Sequence, residues 1–311
     1  MLGLCHLISA LTLAAASGAE SGAEAAKKVV PVYIGLSHKI FIGINPAGAE
    51  ASFKAYLVSL APQKGYLIDA RPYVYDARQL QHLIRTNPPQ VAVMDSWEFV
   101  SADLRDDLEP RYVAPNPGDG RASYLLLAHR RKSVETLADL RGRELLLYEA
   151  GNAKLGRAWL EALLLENSLP PASNFFANVE IIMKPSAAIL PAFFGKKAAC
   201  LITTESFHAA REMNPQLGRD LVQIAASPAY AETVVCVNQN RWNSPQERND
   251  FMNALENLQH HAAGKQLLKL FKAERLEPYR PGLLDSVQEL RAKLSRAQPI
   301  VGSIPSAESQ P

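Results

Sequence analysis

From Val29 onward the chain alternates short β-rich apolar runs with stretches of helical spacing, and that alternation restricts it to the α/β class. Val29-Val30-Pro31-Val32-Tyr33-Ile34-Gly35 reads as a first strand, ending in Leu36-Ser37-His38. Asn45-Pro46 supplies a cap and a first-turn proline for a helix over Ala47–Leu60. Tyr66–Tyr75 is strand-like, and Asp76 caps a helix carrying Leu80, Leu83 and Ile84. Val91-Ala92-Val93-Met94 is a third strand, ending in Asp95-Ser96. A β-α-β-α-β order predicts a parallel sheet with right-handed crossovers.

Ser123–Ala128 opens a second series. Ser133–Gly142 reads as a short capped helix stopped by glycine, followed by a strand at Glu144–Tyr148, the turn Glu149-Ala150-Gly151 and a helix from Asn152. That helix places Leu155, Trp159, Ala162 and Leu163 on one face. A strand at Val179–Met183, a helix at Ser186–Phe194, a strand at Ala199–Thr203 and an extended stretch at Ala229–Val237 follow. From Gln246 the chain is helical, with Phe251, Leu255, Leu258 and Ala262 on one face and Leu283, Val287, Leu290 and Leu294 on another. The Pro-, Ser- and Gln-containing segment from Gln298 has the composition of a disordered tail.

Composition narrows the class further. With 48% hydrophobic and 21% charged residues, the chain is neither disordered, collagenous nor a multi-span membrane protein. Its 33 basic and 31 acidic residues leave no electrostatic footprint for nucleic acid or an anionic membrane. Three cysteines are too few for a disulfide scaffold or a zinc ribbon.

Leu2–Ala16 is a short apolar run followed by a polar, alanine-rich stretch containing Ala23-Glu24-Ala25. A short apolar core and an A-x-A site mark residues 1–25 as a secretory signal peptide, which implies a periplasmic mature protein. No basic residue precedes the run, and a buried N-terminal helix is the competing reading. Cys5 precedes the apolar run instead of ending it, so it does not fit a lipoprotein site. Cleavage leaves Cys200 and Cys236, which in an oxidising compartment either pair or remain buried free thiols.

Two stretches carry a family resemblance. Val134-Glu135-Thr136-Leu137-Ala138-Asp139-Leu140-Arg141-Gly142-Arg143-Glu144 is similar to a "helix, D-L-(K/R)-G-(K/R), strand" entry to a second lobe. Ala188-Ile189-Leu190-Pro191-Ala192-Phe193-Phe194-Gly195-Lys196-Lys197-Ala198-Ala199-Cys200-Leu201 resembles an "A-V-x-x-G-x-x-D-A-A" stretch. On these the chain resembles the type II periplasmic substrate-binding proteins, and within them the phosphate/phosphite/phosphonate-binding branch of ABC-transporter binding proteins. The resemblance implies a Venus-flytrap fold, with a mixed, mostly parallel sheet in each of two lobes and C-terminal helices. Lobe one is expected to comprise residues 27–125 and 232–297, lobe two residues 126–231, with 298–311 a disordered tail. Where the branch carries a Ser-x-Ser-Gly turn that holds an anion, this chain has Tyr148-Glu149-Ala150-Gly151, and Ala198 stands at the aspartate of "D-A-A".

Open parallel sheets bind ligands beyond the carboxyl ends of their strands. The strand-end residues are therefore the candidate ligand contacts: Ser37, His38, Asp95, Ser96, Glu149, Gly151, Asn152, Thr203, Thr204 and Glu205, with Tyr75 and Tyr124 as walls. Ser, Thr, Asp and Asn are also favoured helix caps, and capping is the expected role of Asp76, Ser133 and Ser186. Gly151–Ala158 has P-loop glycine spacing, but Arg157 and Ala158 stand where lysine and a hydroxyl are required. No H-E-x-x-H, G-x-S-x-G or G-x-G-x-x-G occurs, and the adjacent His260-His261 lacks the i,i+4 spacing of a helical metal pair.

These readings lead to a non-enzymatic, cofactor-free, metal-free, monomeric protein that closes two lobes on a small molecule, with chain crossings near Tyr124–Ala128 and Ala229–Val237 as the hinge. By resemblance, an ABC permease receives the closed form. The alternative keeps the fold and makes the chain a periplasmic sensor or accessory protein with a protein partner. An enzyme using Glu149 or Glu205 as base with His38 is the third reading.

Overall fold

The computed structural model describes residues 28–41, 45–60, 67–102, 104, 108–114, 121–130, 134–149, 154–270 and 273–297. Among these residues the strands are β1 (Val29–Ser37), β2 (Leu67–Tyr75), β3 (Val91–Asp95), β4 (Glu109–Ala114), β5 (Tyr124–His129), β6 (Glu144–Tyr148), β7 (Asn178–Ile182), β8 (Ala199–Thr203), β9 (Leu221–Ala226), β10 (Thr233–Val237) and β11 (Glu277–Pro278). The helices are α1 (Pro46–Leu60), α2 (Ala77–Thr86), α3 (Ser96–Ala102), α4 (Lys154–Glu166), α5 (Ala172–Phe175), α6 (Pro185–Phe193), α7 (Thr204–Met213), α8 (Leu217–Asp220), α9 (Pro245–Glu256), α10 (Ala262–Leu270) and α11 (Asp285–Ala297).

The strands form two mixed sheets, ordered β11-β4-β10-β3-β1-β2 and β7-β6-β8-β5-β9. In the first, β1 runs parallel to β2 and β3, while β10 is antiparallel to β3 and β4, and β11 to β4. In the second, β6 runs parallel to β7 and β8, and β5 is antiparallel to β8 and β9. The parallel pairs are those a βαβ pattern produces. The antiparallel members β5 and β10 are where the chain enters the second sheet and returns to the first. The two passages lie side by side: Ala122 and Tyr230 form an isolated bridge with reciprocal backbone hydrogen bonds of 2.8 Å. Two lobes joined by paired crossings result.

Burial explains the composition of the strands. Every residue of β3 and β10 is buried, so both read as unbroken apolar runs and not as alternating ones. Successive β3 side chains enter different cores. Val91 and Val93 pack with Phe53, Tyr56 and Leu57 of α1 and Phe251 and Leu255 of α9. Ala92 and Met94 join Leu80 and Ile84 of α2, Phe99 of α3, and Val287 and Leu290 of α11. This second cluster continues into the other lobe through Leu126, Leu147 and Leu201 of the second sheet and Leu155 and Trp159 of α4. Helix α11 is the shared piece: Arg291 Nη1 donates to the Val100 carbonyl of α3, and Lys293 pairs with Glu166 of α4 at 2.6 Å.

Several expectations need correction. Ser133 and the residues 131–133 lie outside the described residues, as do 1–27, which contain the expected signal peptide, and the tail 298–311. The predicted helix before Gly142 is reduced to a 3-10 turn at Ala138–Leu140. The reason is Asp139, whose Oδ2 accepts from Glu135 N, Thr136 N and Thr136 Oγ1, so the side chain takes over donors that helix propagation would use. Gly142 does stop the turn, at φ +69°. Ser186 does not cap α6: the cap position is Lys184, without a side-chain hydrogen bond, and Pro185 opens the helix. Proline there needs no N–H, which removes the demand for a polar cap. Asp76, by contrast, caps α2 through a full capping box with Gln79. The helix from Gln246 is broken into α9, a 3-10 turn at Leu258–His260, and α10.

Cys200 and Cys236 are free, buried thiols in different sheets and different clusters. Burial alone pushes the Cys200 thiol up to about 12 and Cys236 higher still, so neither supplies a reactive thiolate at neutral pH.

Candidate functional site

The strand ends of the two sheets are tied to the crossings by the first residues of the helices that follow them. Ser96 follows β3 and is fully buried; its N–H donates to Glu232 O at 2.7 Å and its hydroxyl to Ala231 O at 2.5 Å. Thr204 follows β8; its N–H donates to Ser123 O at 2.8 Å, and Ser123 Oγ donates to its Oγ1 at 2.7 Å. One polar residue in each lobe thus pins one crossing. Both were candidate ligand contacts, and the structure spends their hydrogen bonds on the connection between lobes. Thr203 is used locally, since its Oγ1 accepts from Ser206 N as the cap of α7.

Next to this seam lies a group of carboxylates. Asp95, 1% exposed, accepts from Glu98 N at 2.6 Å through Oδ1, which caps α3. Its Oδ2 and the Oε2 of Glu98 are both buried without a hydrogen-bond donor. The other Glu98 oxygen takes Lys39 Nζ at 2.5 Å, from the 3-10 turn after β1. Burial pushes the Asp95 carboxyl up to about 7, and the neighbouring Glu98 carboxylate adds to the rise, while Lys39 works against it.

From the second lobe, Tyr124 reaches the same place. It is buried at the start of β5, and its hydroxyl lies 3.4 Å from Glu232 Oε1. Burial first, then Glu232 and more weakly Asp95, push its phenol well above the ordinary tyrosine range, which keeps it a donor. Tyr148, ending β6, is raised by burial, then by Glu232 and Glu205. Asp95, Tyr124, Tyr148, Glu205 and Glu232 are therefore electrostatic neighbours drawn from both lobes and the crossing.

Ser37, His38 and Tyr75 gather at the adjoining ends of β1 and β2. Ser37 is buried and its Oγ accepts from Lys39 N at 3.3 Å. The exposed His38 ring places Nδ1 3.4 Å from Tyr75 O, and the half-buried Tyr75 ring stands 4.7 Å from that of Tyr73. Glu149 does not project an unanswered charge: Arg157 of α4 reaches its Oε2 at 3.0 Å. Gly151 and Asn152 lie outside the described residues. Lys39, Glu98 and Glu232 lie in the same group of charges and were not among the sequence candidates, and Tyr148, read only as the start of the Tyr-Glu-Ala-Gly turn, joins them. The Asp95-x-x-Glu98 spacing was the available signal for Glu98, because residues three apart at a helix start face each other.

Tyr124 depends on a glycine opposite it. A Cβ on Gly156 of α4 would sit 2.9 Å and 3.0 Å from the Tyr124 ring and 3.3 Å from Leu201. Gly156→Ala is expected to lower stability by about 1–3 kcal/mol through overpacking, despite alanine's better helix propensity. Urea unfolding checks this; an alanine variant as stable as the parent would mean that the ring moves aside freely.

The paired crossings and the two mixed sheets define a two-lobed, type II periplasmic-binding-protein fold. The family model for the periplasmic substrate-binding protein of phosphonate ABC transporters matches residues 45–281, and the chain belongs to that family. Among solved structures, it is similar to XAC2383 from Xanthomonas citri bound to ATP, at 17% identity and TM-score 0.60, over 86% of this chain and 97% of that one. It is also similar to a binding protein component of an ABC phosphonate transporter from Pseudomonas aeruginosa, at 15% identity and TM-score 0.54, over 86% and 87% of the two chains. A third is PhnD1 from Prochlorococcus marinus in complex with methylphosphonate, at 13% identity and TM-score 0.54, over 86% and 98%. No curated protein sequence matches the chain.

Proposed function

We propose that this protein is a periplasmic solute receptor that closes its two lobes around a small ligand and presents the closed form to an ABC permease, acting as a monomer and without catalysis. The observation that carries this is the convergence of Asp95 and Lys39 from the first lobe with Tyr124 and Tyr148 from the second at a seam of two paired crossings. A ligand that touches both lobes stabilises closure; one that touches a single lobe binds without shifting it.

In this reading the expected boundary moves slightly: lobe one comprises residues 27–123 and 232–297, and lobe two residues 124–231, because β5 begins at Tyr124 in the second sheet. The hinge lies where the crossings pair, at Ala122–Ser123 and Tyr230–Glu232, and not within β5 and β10, which are locked into the sheets. His38, Tyr75, Asp95, Tyr124 and Glu205 remain the proposed ligand-facing set, joined by Lys39, Glu98, Tyr148 and Glu232. Ser96 and Thr204 act as hinge pins. The Arg157–Glu149 pair occupies the turn where the family resemblance places anion-holding serines, which supports a ligand other than a bare phosphonate dianion.

The test is to identify by mass spectrometry the small molecules released on denaturation, then add them back. A bound solute at a hundredfold excess over its Kd contributes about 2.7 kcal/mol, read as a rise in Tm. Small-angle scattering should show a decrease in radius of gyration with the same solute. A broad metabolite panel that changes neither quantity would defeat the receptor reading.

A further inference from the structure

The buried carboxylates at the end of β3 leave a charge unaccounted for. Asp95 and Glu98 carry two negative charges when ionised, and among the described residues Lys39 brings one positive charge to the pair, through Glu98 Oε1. Each carboxylate keeps one oxygen, Asp95 Oδ2 and Glu98 Oε2, that no donor reaches. Orphaned carboxylate oxygens in a low-dielectric site are costly, and a single additional cation in contact with both resolves the deficit. The two side chains are within hydrogen-bonding reach of each other, so one shared proton meets the same need. Both free oxygens are covered in this structure, whereas the Lys39 and Glu98 side chains beside them keep 15% and 11% of their surface exposed.

We propose that the Asp95–Glu98 pair is the subsite for a primary ammonium group of the bound solute, and that this ammonium replaces a proton the pair shares in the solute-free protein. The inference rests on the solute-receptor reading above. The ammonium donates to Asp95 Oδ2 and Glu98 Oε2, the displaced proton passes to the buffer, and the ligand keeps its own charge. The surroundings suit a cation. Tyr124 from β5 is an electrostatic neighbour of Asp95 and holds its hydroxyl 3.4 Å from Glu232 Oε1 of the crossing, and Lys39 from the turn after β1 pairs with the other Glu98 oxygen. His38, next along the chain from Ser37, turns its Nδ1 to the Tyr75 carbonyl. Because the proton must leave, affinity for the ammonium rises with pH through the range in which the pair loses it.

Calorimetric titration with aminomethylphosphonate, methylphosphonate and putrescine tests this on the full chain. Aminomethylphosphonate should bind at least about 30-fold more tightly than methylphosphonate, the ratio expected for a buried charge contact. Putrescine should bind as well, and both amines should bind more tightly at about pH 8 than at about pH 6. At about pH 6, titration in buffers of different ionisation heat should report close to one proton released per amine bound. Asp95→Asn should abolish the amine preference and the proton release while folding normally, since the amide still accepts from Glu98 N and donates to Glu98 Oε2. Equal affinity for aminomethylphosphonate and methylphosphonate with lobe closure by both would overturn the subsite and leave the receptor standing. Failure of both amines to bind would also overturn it, as would retention of the preference in Asp95→Asn. As a check independent of affinity, carbon NMR of the Asp95 carboxyl should show protonation in the free protein at about pH 6 and loss of that proton on adding putrescine; a carboxyl already ionised there contradicts the exchange.

Discussion

Replacing Asp95 with asparagine is expected to make the protein more stable above neutral pH and to flatten its stability between about pH 4 and pH 7. The sign follows from proton uptake. An unfolded Asp titrates near 4, whereas the folded Asp95 carboxyl is held at about 7 by burial and by Glu98. Between those values the folded protein holds a proton that the unfolded chain has released, so raising the pH favours unfolding. The stabilisation is complete below the unfolded value and is lost as pH rises through the folded one. A displacement of this size corresponds to about 2–4 kcal/mol in total, a large share of the ~5–15 kcal/mol that holds a domain together. Asparagine keeps the cap on α3, because its Oδ1 can still accept from Glu98 N, now 2.6 Å from Asp95 Oδ1. Urea midpoints at about pH 5 and about pH 8 decide the matter. The parent should lose stability between them and the variant should not; parallel behaviour would mean that Asp95 is ionised throughout.

The features legible in the sequence and those that were not differ for a physical reason. The βαβ units were readable because their side-chain periodicity is local: β3 and β8 are short apolar runs bounded by polar caps, and α4 has its Leu155–Trp159–Ala162 face. Strands β4 and β9 were not read, because Glu109, Arg111 and Gln223 lie among their apolar residues and each strand is fixed by a distant partner, β10 or β5. The same distinction applies to the site. Asp95 stood out as a strand-end carboxylate, whereas Glu232 became relevant only when Tyr124, 108 residues away in sequence, was placed 3.4 Å from it. Ser96 and Thr204 were correctly located at strand ends, but their hydrogen-bond partners are backbone carbonyl or hydroxyl groups of the opposite crossing, which no local pattern encodes.

Val287→Asp is expected to be among the most destabilising single changes in the chain, and to act on both lobes at once. Val287 is fully buried on α11, in a cluster that contains Phe99 and Val100 of α3 and Leu155 and Trp159 of α4. An aspartate there either stays ionised without a partner or takes up a proton several units above its ordinary value, which costs about 4–6 kcal/mol at neutral pH. Val287→Ala, which only removes methyl groups, should cost about 2 kcal/mol and serves as the conservative comparison. Because the cluster runs without interruption from β3 to β8, the parent should unfold in a single calorimetric transition, and Val287→Asp should shift or abolish that transition as a whole. Loss of one of two separate transitions would show that the lobes have independent cores. The shared core also constrains closure. Packed interiors do not deform continuously, so the closure proposed above has to keep the α3–α11–α4 contact intact. Ala122, Tyr230 and Ala231 of the paired crossings belong to the same cluster, so the passages between the lobes are packed into the core that the motion must preserve.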